Sequence, residues 1–171
     1  MRSAFTLVEL MVVLLVMSIV AGALTLSLTS PSKRADMDDV VAGIVQFDLL
    51  ARQHALRHGQ ARQLVFDLDA HKIGELSEED RDDSPARIFA LPEGYRLATL
   101  TLASGSINSG RTAVWCSDRG YTPTYALRVE GPAGRRWVLF AGLTGEVIQT
   151  EDEKEIEQSM ALLSAEGADA D

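Results

Sequence analysis

His54 and His58 stand four residues apart, a spacing that sets two imidazoles on one helix face and holds zinc if a third ligand joins them. The only other histidine, His71, lies beyond a strand, so the pair reads as solvated side chains. Asp67 and Asp69 offer hard oxygen ligands, but their spacing matches no dedicated calcium loop. Ser117-Asp118 has no histidine near it in sequence, and no nucleophile, base and acid can be grouped. Gly142 and Gly145 flank Thr144 without the Lys-Ser/Thr signature of a phosphate loop, so they read as a turn. No catalytic residue, metal or cofactor is expected, and the chain is not read as an enzyme. An enzyme would need a convergent pocket of groups with perturbed pKa values.

The carboxylate that does carry information is Glu9. It stands in an apolar run from Phe5 to about Leu28, whose other polar side chains are Thr6, Ser18, Thr25 and Ser27. A charge in such a run is costly and marks a function. It either snorkels to an interface or pairs with a cation. If Met1-Arg2-Ser3-Ala4 were removed, Phe5 would carry a free amine one helical turn from Glu9. A neighbouring chain could present such an amine to this carboxylate and so fix the register of parallel helices.

The elements that must position these residues follow from periodicity. A helix from Phe5 to Leu28 would be roughly 36 Å long, enough to cross a hydrocarbon core of roughly 30 Å. Pro31 marks a break or bend, and a second helical pattern runs from Ala35 to His58. Val40, Ile44, Phe47, Ala51 and Ala55 form its apolar stripe. Asp36, Asp38 and Asp39 suit its start; Arg52, Arg57 and His58 suit its end, and Gly59 stops it. The two halves are compatible with one long bent helix.

Beyond Gly59 the period becomes two. Strands are expected over 63–68, 72–76, 87–91, 95–102, 112–116, 125–130 and 137–141, with an acidic loop over 77–86. The fold class is therefore α+β, with a long N-terminal hydrophobic helix packed on an antiparallel β domain. Among the aromatics of this region, Trp115, Tyr121, Tyr125 and Trp137 divide between core and interface. Residues 151–171 form an acidic flexible tail, with a helical turn or two over 153–163.

Composition bounds the partners. The net charge of −9 sits almost wholly outside the apolar run, which makes nucleic acid a poor partner. The single cysteine, Cys116, excludes an internal disulfide and reads as a buried thiol. Positive charge is nearly balanced across the apolar run, with Arg2 before it and Lys33 and Arg34 after it, so charge leaves its orientation open.

The segment Ala4-Phe5-Thr6-Leu7-Val8-Glu9-Leu10-Met11-Val12-Val13 closely resembles the leader and first helix of type IV prepilins and pseudopilins. Arg2, Ala4, Phe5 and Glu9 match its basic leader, small residue before cleavage, aromatic first residue and glutamate four residues on. The family's usual residue before cleavage is glycine, where this chain has Ala4. The resemblance implies cleavage between Ala4 and Phe5 and methylation of Phe5 by a prepilin peptidase/N-methyltransferase, with Glu9 serving assembly. It also implies one crossing of the bacterial inner membrane, with the C-terminal domain in the periplasm.

Three further segments look like the GspH/FimT-type minor pseudopilin domain: Ala51 to Gly59, Ser117 to Tyr125, and Ala141 to Val147. That family's fold is a long helix followed by two packed antiparallel sheets. The implied organisation is a leader (1–4), a transmembrane and assembly helix (5–30), the soluble half of that helix (31–59), a β domain (60–150) and the acidic tail (151–171). The implied role is a minor pseudopilin at or near the tip of a type II secretion pseudopilus, supporting export of folded proteins across the outer membrane. Its implied partners are other minor pseudopilins, the major pseudopilin, the peptidase, the inner-membrane assembly platform and secreted proteins. A minor type IV pilin that primes pilus assembly or DNA uptake is the alternative. A third class, an anchored binding domain that never polymerises, would tolerate an apolar residue in place of Glu9.

Overall fold

The structure is a computed structural model that describes the backbone of residues 7–77 and 85–168, and the side chains of 11–13, 15–17, 37–77 and 85–163. It divides into two compact units, Met1–Asp36 and Met37–Asp171. The helix α1 is assigned over Leu7–His58, so Pro31 falls inside one element rather than between two. The acidic loop expected over 77–86 falls mostly on 78–84, outside the described residues.

The expectation of a single-pass helix in the inner membrane is corrected. Among the described residues no helix is long and apolar enough to cross a membrane. The side chains described in the apolar run are Met11, Val12, Val13, Leu15, Val16 and Met17. The assignment of the C-terminal domain to the periplasm rested on that span and falls with it.

Among the described residues of the second unit, α1 is followed by nine strands: β1 (Arg62–Asp67), β2 (Lys72–Ser77), β3 (Arg87–Ala90), β4 (Arg96–Leu102), β5 (Gly105–Ile107), β6 (Arg111–Cys116), β7 (Tyr125–Gly131), β8 (Gly134–Phe140) and β9 (Val147–Thr150). A closing helix, α2, spans Glu153–Ala168. The strands make two antiparallel sheets, ordered β3-β2-β1-β6 (sheet A) and β5-β4-β7-β8-β9 (sheet B). This is the expected architecture of a helix on two antiparallel sheets. The seven expected strands are present; β5 and β9 are additional, and α2 is longer than the turn or two foreseen.

One core joins the helix to both sheets. The stripe Val40, Ile44, Phe47 and Ala51 is buried with Leu64, Phe66 and Ile73 of sheet A and Leu100, Leu127, Val129, Val138 and Phe140 of sheet B. Ala55 is fully buried as well. Alternation sends Leu64 and Phe66 of β1 and Leu127 and Val129 of β7 inward to this core. Tyr125 ties the layers together: its ring stacks on Phe140 at 4.7 Å and meets the edge of Phe66, from the other sheet, at 5.5 Å. Aromatic pairs at these separations add attraction beyond the area they bury. Gly43 lets the helix approach β3, since a Cβ there would stand 2.7 Å from the Phe89 ring.

Candidate functional site

The helix end, the β6–β7 connection and the β8–β9 connection meet at one side chain, Arg52. Its Nε donates to Asp48 Oδ2 at 2.7 Å, one helical turn earlier. Nη1 donates to the Gly142 carbonyl at 2.9 Å and to the Gly120 carbonyl at 3.3 Å. Nη2 donates to Thr122 Oγ1 at 2.7 Å. The other Asp48 oxygen accepts the Tyr125 hydroxyl at 2.6 Å. Asp48 and Arg52 are 5% and 6% exposed, so each charge is out of water and depends on the other. The planar guanidinium suits this role because its donors point in fixed directions toward several acceptors at once.

The two connections are shaped to reach it. Gly120 has φ +77°, and a Cβ there would meet Leu56 at 3.1 Å and the Arg52 carbonyl at 3.3 Å. Its turn is closed by the Ser117 amide donating to the Tyr121 carbonyl at 2.8 Å. Gly142 lies against the backbone of the other connection, with a hypothetical Cβ 2.0 Å from the Thr122 carbonyl oxygen. The Thr122 amide donates to the Gly142 carbonyl at 3.2 Å, and the Gly142 amide donates to Thr124 Oγ1 at 3.1 Å. Three segments far apart in sequence thus close on one cation.

Titration at this junction follows its burial. Burial, with the Asp48 charge beside it, pushes the Tyr125 phenol well above its usual range. Burial raises the Cys116 thiol to about 11 against the opposing pull of Arg52. A buried thiol held in its neutral form is a packing group rather than a nucleophile.

The other groups with chemical potential are tied into the fold. His54 is half-buried, with its Nδ1 2.9 Å from Glu75 Oε1. Glu75 is itself buried in β2 and accepts Arg87 Nη1 at 2.9 Å on its other oxygen. The reading of His54 as a solvated side chain therefore gives way to a half-buried pairing with a buried carboxylate, while His58 is exposed. The His54 and His58 rings meet edge to face at 6.4 Å. Asp67 Oδ1 accepts the Ala70 amide at 2.8 Å and closes its own turn, and Asp69 Oδ2 accepts the Gly110 amide at 3.1 Å and ties the β1–β2 turn to the β5–β6 connection. Among the described residues no cluster of three or more His, Cys, Asp or Glu side chains is placed to hold a metal ion. A surface cleft of about 410 Å³ is lined by Asp69, His71, Arg96, Arg128 and Glu130. Its arginines converge on Glu130, from Arg96 Nε at 2.9 Å and from Arg128 Nε at 3.2 Å.

Exposed apolar side chains mark where this surface could be covered. Leu56, Tyr121 and Leu143 flank the Arg52 junction, and Trp115 stands on the outside of sheet A. Tyr125 and Trp137 are buried, which divides the four aromatics that sequence left undivided. Ala4 and Phe5 lie outside the described residues; Glu9 lies on α1, with its side chain outside them. The Arg52 junction was missed in sequence, where Arg52 was assigned to the helix terminus. The available signal was Asp48 four residues before it on the buried stripe's flank.

The sequence profile of the prokaryotic N-terminal methylation motif matches residues 1–25. Curated protein sequences give no match. Among solved structures the chain is similar to the minor pseudopilin EpsH of the type 2 secretion system of Vibrio cholerae. The TM-score is 0.53 at 16% identity, over 67% of this chain and 94% of that one. A crystal structure of the same Vibrio cholerae pseudopilin matches with a TM-score of 0.50 at 16% identity, over 69% of this chain and 94% of that one. At such identities the likeness is one of fold. The chain joins a prepilin-type N-terminal methylation motif to a fold similar to that of a type II secretion minor pseudopilin.

Proposed function

We propose that this chain is a minor pseudopilin of a type II secretion pseudopilus, placed at or near its tip and supporting export of folded proteins across the outer membrane. The observation that carries the reading is the conjunction of the methylation motif over residues 1–25 with a pseudopilin-like fold. Either alone is weaker, because a fold hosts many functions. In this reading residues 1–4 are a leader, 5–30 the assembly helix, 31–59 its continuation and 60–150 the β domain that meets neighbouring subunits. Ala4 precedes the cleaved bond, Phe5 becomes the methylated N-terminus, and Glu9 pairs with the N-terminal amine of an adjacent subunit. The partners are the prepilin peptidase/N-methyltransferase, the major and other minor pseudopilins, the assembly platform and the exported proteins. The subunit contributes shape and contact surface; residues 151–171 complete it as an acidic extension.

Mass spectrometry of the mature chain, with crosslinking of intact and Glu9→Leu subunits, tests this directly. The expected result is a chain beginning at methylated Phe5 whose crosslinks to pseudopilins disappear in Glu9→Leu. A chain that retains Met1 and keeps its partners in the variant refutes the assembly role of Glu9 and the pseudopilin reading with it.

A further inference from the structure

We propose that α2 is a strap: it leaves sheet B as a unit while both sheets stay folded, and so bares an apolar strip on the outside of the sandwich. The strip is Ala126 on β7, Trp137 and Leu139 on β8, and Ile148 on β9. Ile156 and Met160 of α2 are buried on it, with Leu163 partly so. Their spacing of four and then three residues is one helix face laid across the strands.

The separation of this cluster from the main core is what permits independent opening. Strand alternation sends Leu127, Val138 and Phe140 inward and Ala126, Trp137 and Leu139 outward, so the two sets belong to different clusters. Removing α2 uncovers the second set and leaves the first packed between the sheets and α1. An element held by few buried side chains, apart from the main core, opens at lower free energy than the whole domain.

The bonds at the base of α2 reach no further into the sheet than Thr150, the last residue of β9, so they sit at the pivot and not over the strip. Asp152 Oδ1 caps the Lys154 amide at 2.9 Å. Thr150 Oγ1 accepts the Asp152 amide at 3.1 Å and donates to Glu155 Oε2 at 2.5 Å. Glu153 and Glu155 in the first turn favour the helix itself. The ion pair from this neck to the sheets, among the described residues, is Arg136 Nη1/Nη2 shared between Asp38 at 3.3 Å and Glu151 at 3.7 Å. A connector of Glu151 and Asp152 between β9 and α2 is the hinge.

The seal is also imperfect. Trp137 is 3% exposed, and its indole Nε1 has no partner among the described residues; the same holds for Thr99 Oγ1, two strands away in the same cross-strand row. A buried donor without an acceptor is costly, and opening would return it to water. The helix that keeps the strip dry therefore does so at a cost that opening relieves.

Hydrogen exchange on the full chain reads this, with Trp115→Phe leaving Trp137 as the sole tryptophan for fluorescence. The α2 amides should exchange at least ten-fold faster than those of β7 and β8. Ile156→Asp should accelerate α2 exchange further and shift Trp137 emission to the red, while the sheet amides keep their protection. Ile156→Ala should do the same to a smaller extent. The proposal is overturned if α2 exchanges at the rate of the sheets, if either variant strips the sheets of protection along with α2, or if Trp137 emission does not move.

Discussion

Replacing Arg52 by methionine removes a guanidinium from a site where four oxygens depend on it. Methionine keeps the stem and its packing but supplies no donor. Asp48 is left 5% exposed with only the Tyr125 hydroxyl to hold it, and the Gly120 and Gly142 carbonyls and Thr122 lose their side-chain donor. Removing one partner of a buried ion pair costs about 3–5 kcal/mol, far more than an exposed pair is worth. For a domain of this size that corresponds to a melting temperature lower by roughly 10–20 °C. Urea unfolding of the full chain, followed by tryptophan fluorescence and far-ultraviolet circular dichroism, measures it. Arg52→Lys keeps the charge but loses the fork, and should fall between Arg52→Met and the parent. Adding Asp48→Asn to Arg52→Met should recover part of the loss, because the stranded charge is gone; the cycle should show coupling of about 1 kcal/mol or more. An Arg52→Met chain within about 1 kcal/mol of the parent, or a lysine variant equal to it, refutes the view that this cation closes the fold.

Two further outcomes are expected. Gly142→Ala should lower stability by about 3 kcal/mol, at the top of the range for overpacking, because its Cβ meets the backbone of 122–124 rather than a side chain that can turn aside; an unchanged urea midpoint would contradict that packing. Above about pH 9 stability should decline. The unfolded chain releases the Cys116 proton from 9.0 upward while the folded chain holds it to about 11, so the unfolded state binds fewer protons and gains as pH rises through that window. The raised Tyr125 phenol acts in the same direction. Urea midpoints at pH 8, 9 and 10 should fall in sequence, less steeply in Cys116→Ala, and a flat series would contradict it.

The fold was legible where a single physical signal dominated. The stripe Val40, Ile44, Phe47, Ala51 and Ala55 is buried because a 3.6-residue period has no other use for it. The longer strands were visible from alternation between turn residues. β5 was not, since Gly105–Ile107 is too short to display a period, and β9 was not, since Val147–Thr150 pairs two apolar with two polar residues and shows no alternation. The extent of α2 was hidden by its acidity: its apolar face is three residues, Ile156, Met160 and Leu163, among carboxylates that resemble a solvated tail. The Arg52 junction was hidden for a different reason. Its partners lie 68, 70 and 90 residues away, and two of them are backbone carbonyls with no residue type to announce them. His54 misled for the same reason, because the buried Glu75 that meets it belongs to a strand.

The three segments that resembled a minor pseudopilin in sequence are the three that close on Arg52. Ala51 to Gly59 supplies the cation's helix, Ser117 to Tyr125 supplies Gly120, Thr122 and the Tyr125 hydroxyl, and Ala141 to Val147 supplies Gly142. The signature is thus mechanical rather than catalytic. A surface ion pair would slip under load, since it exchanges readily for water. A buried cation shared by four acceptors loses desolvated partners when any of them moves away, which raises the cost of each displacement. Displacement of the helix end against either connection therefore loads bonds to both at once. Under the pseudopilin function proposed above, a subunit would use that coupling, because contacts made by α1 reach the β domain only if the two move together. The exposed Leu56, Tyr121 and Leu143 flank the junction, so a neighbour covering them would bear on segments that Arg52 ties together.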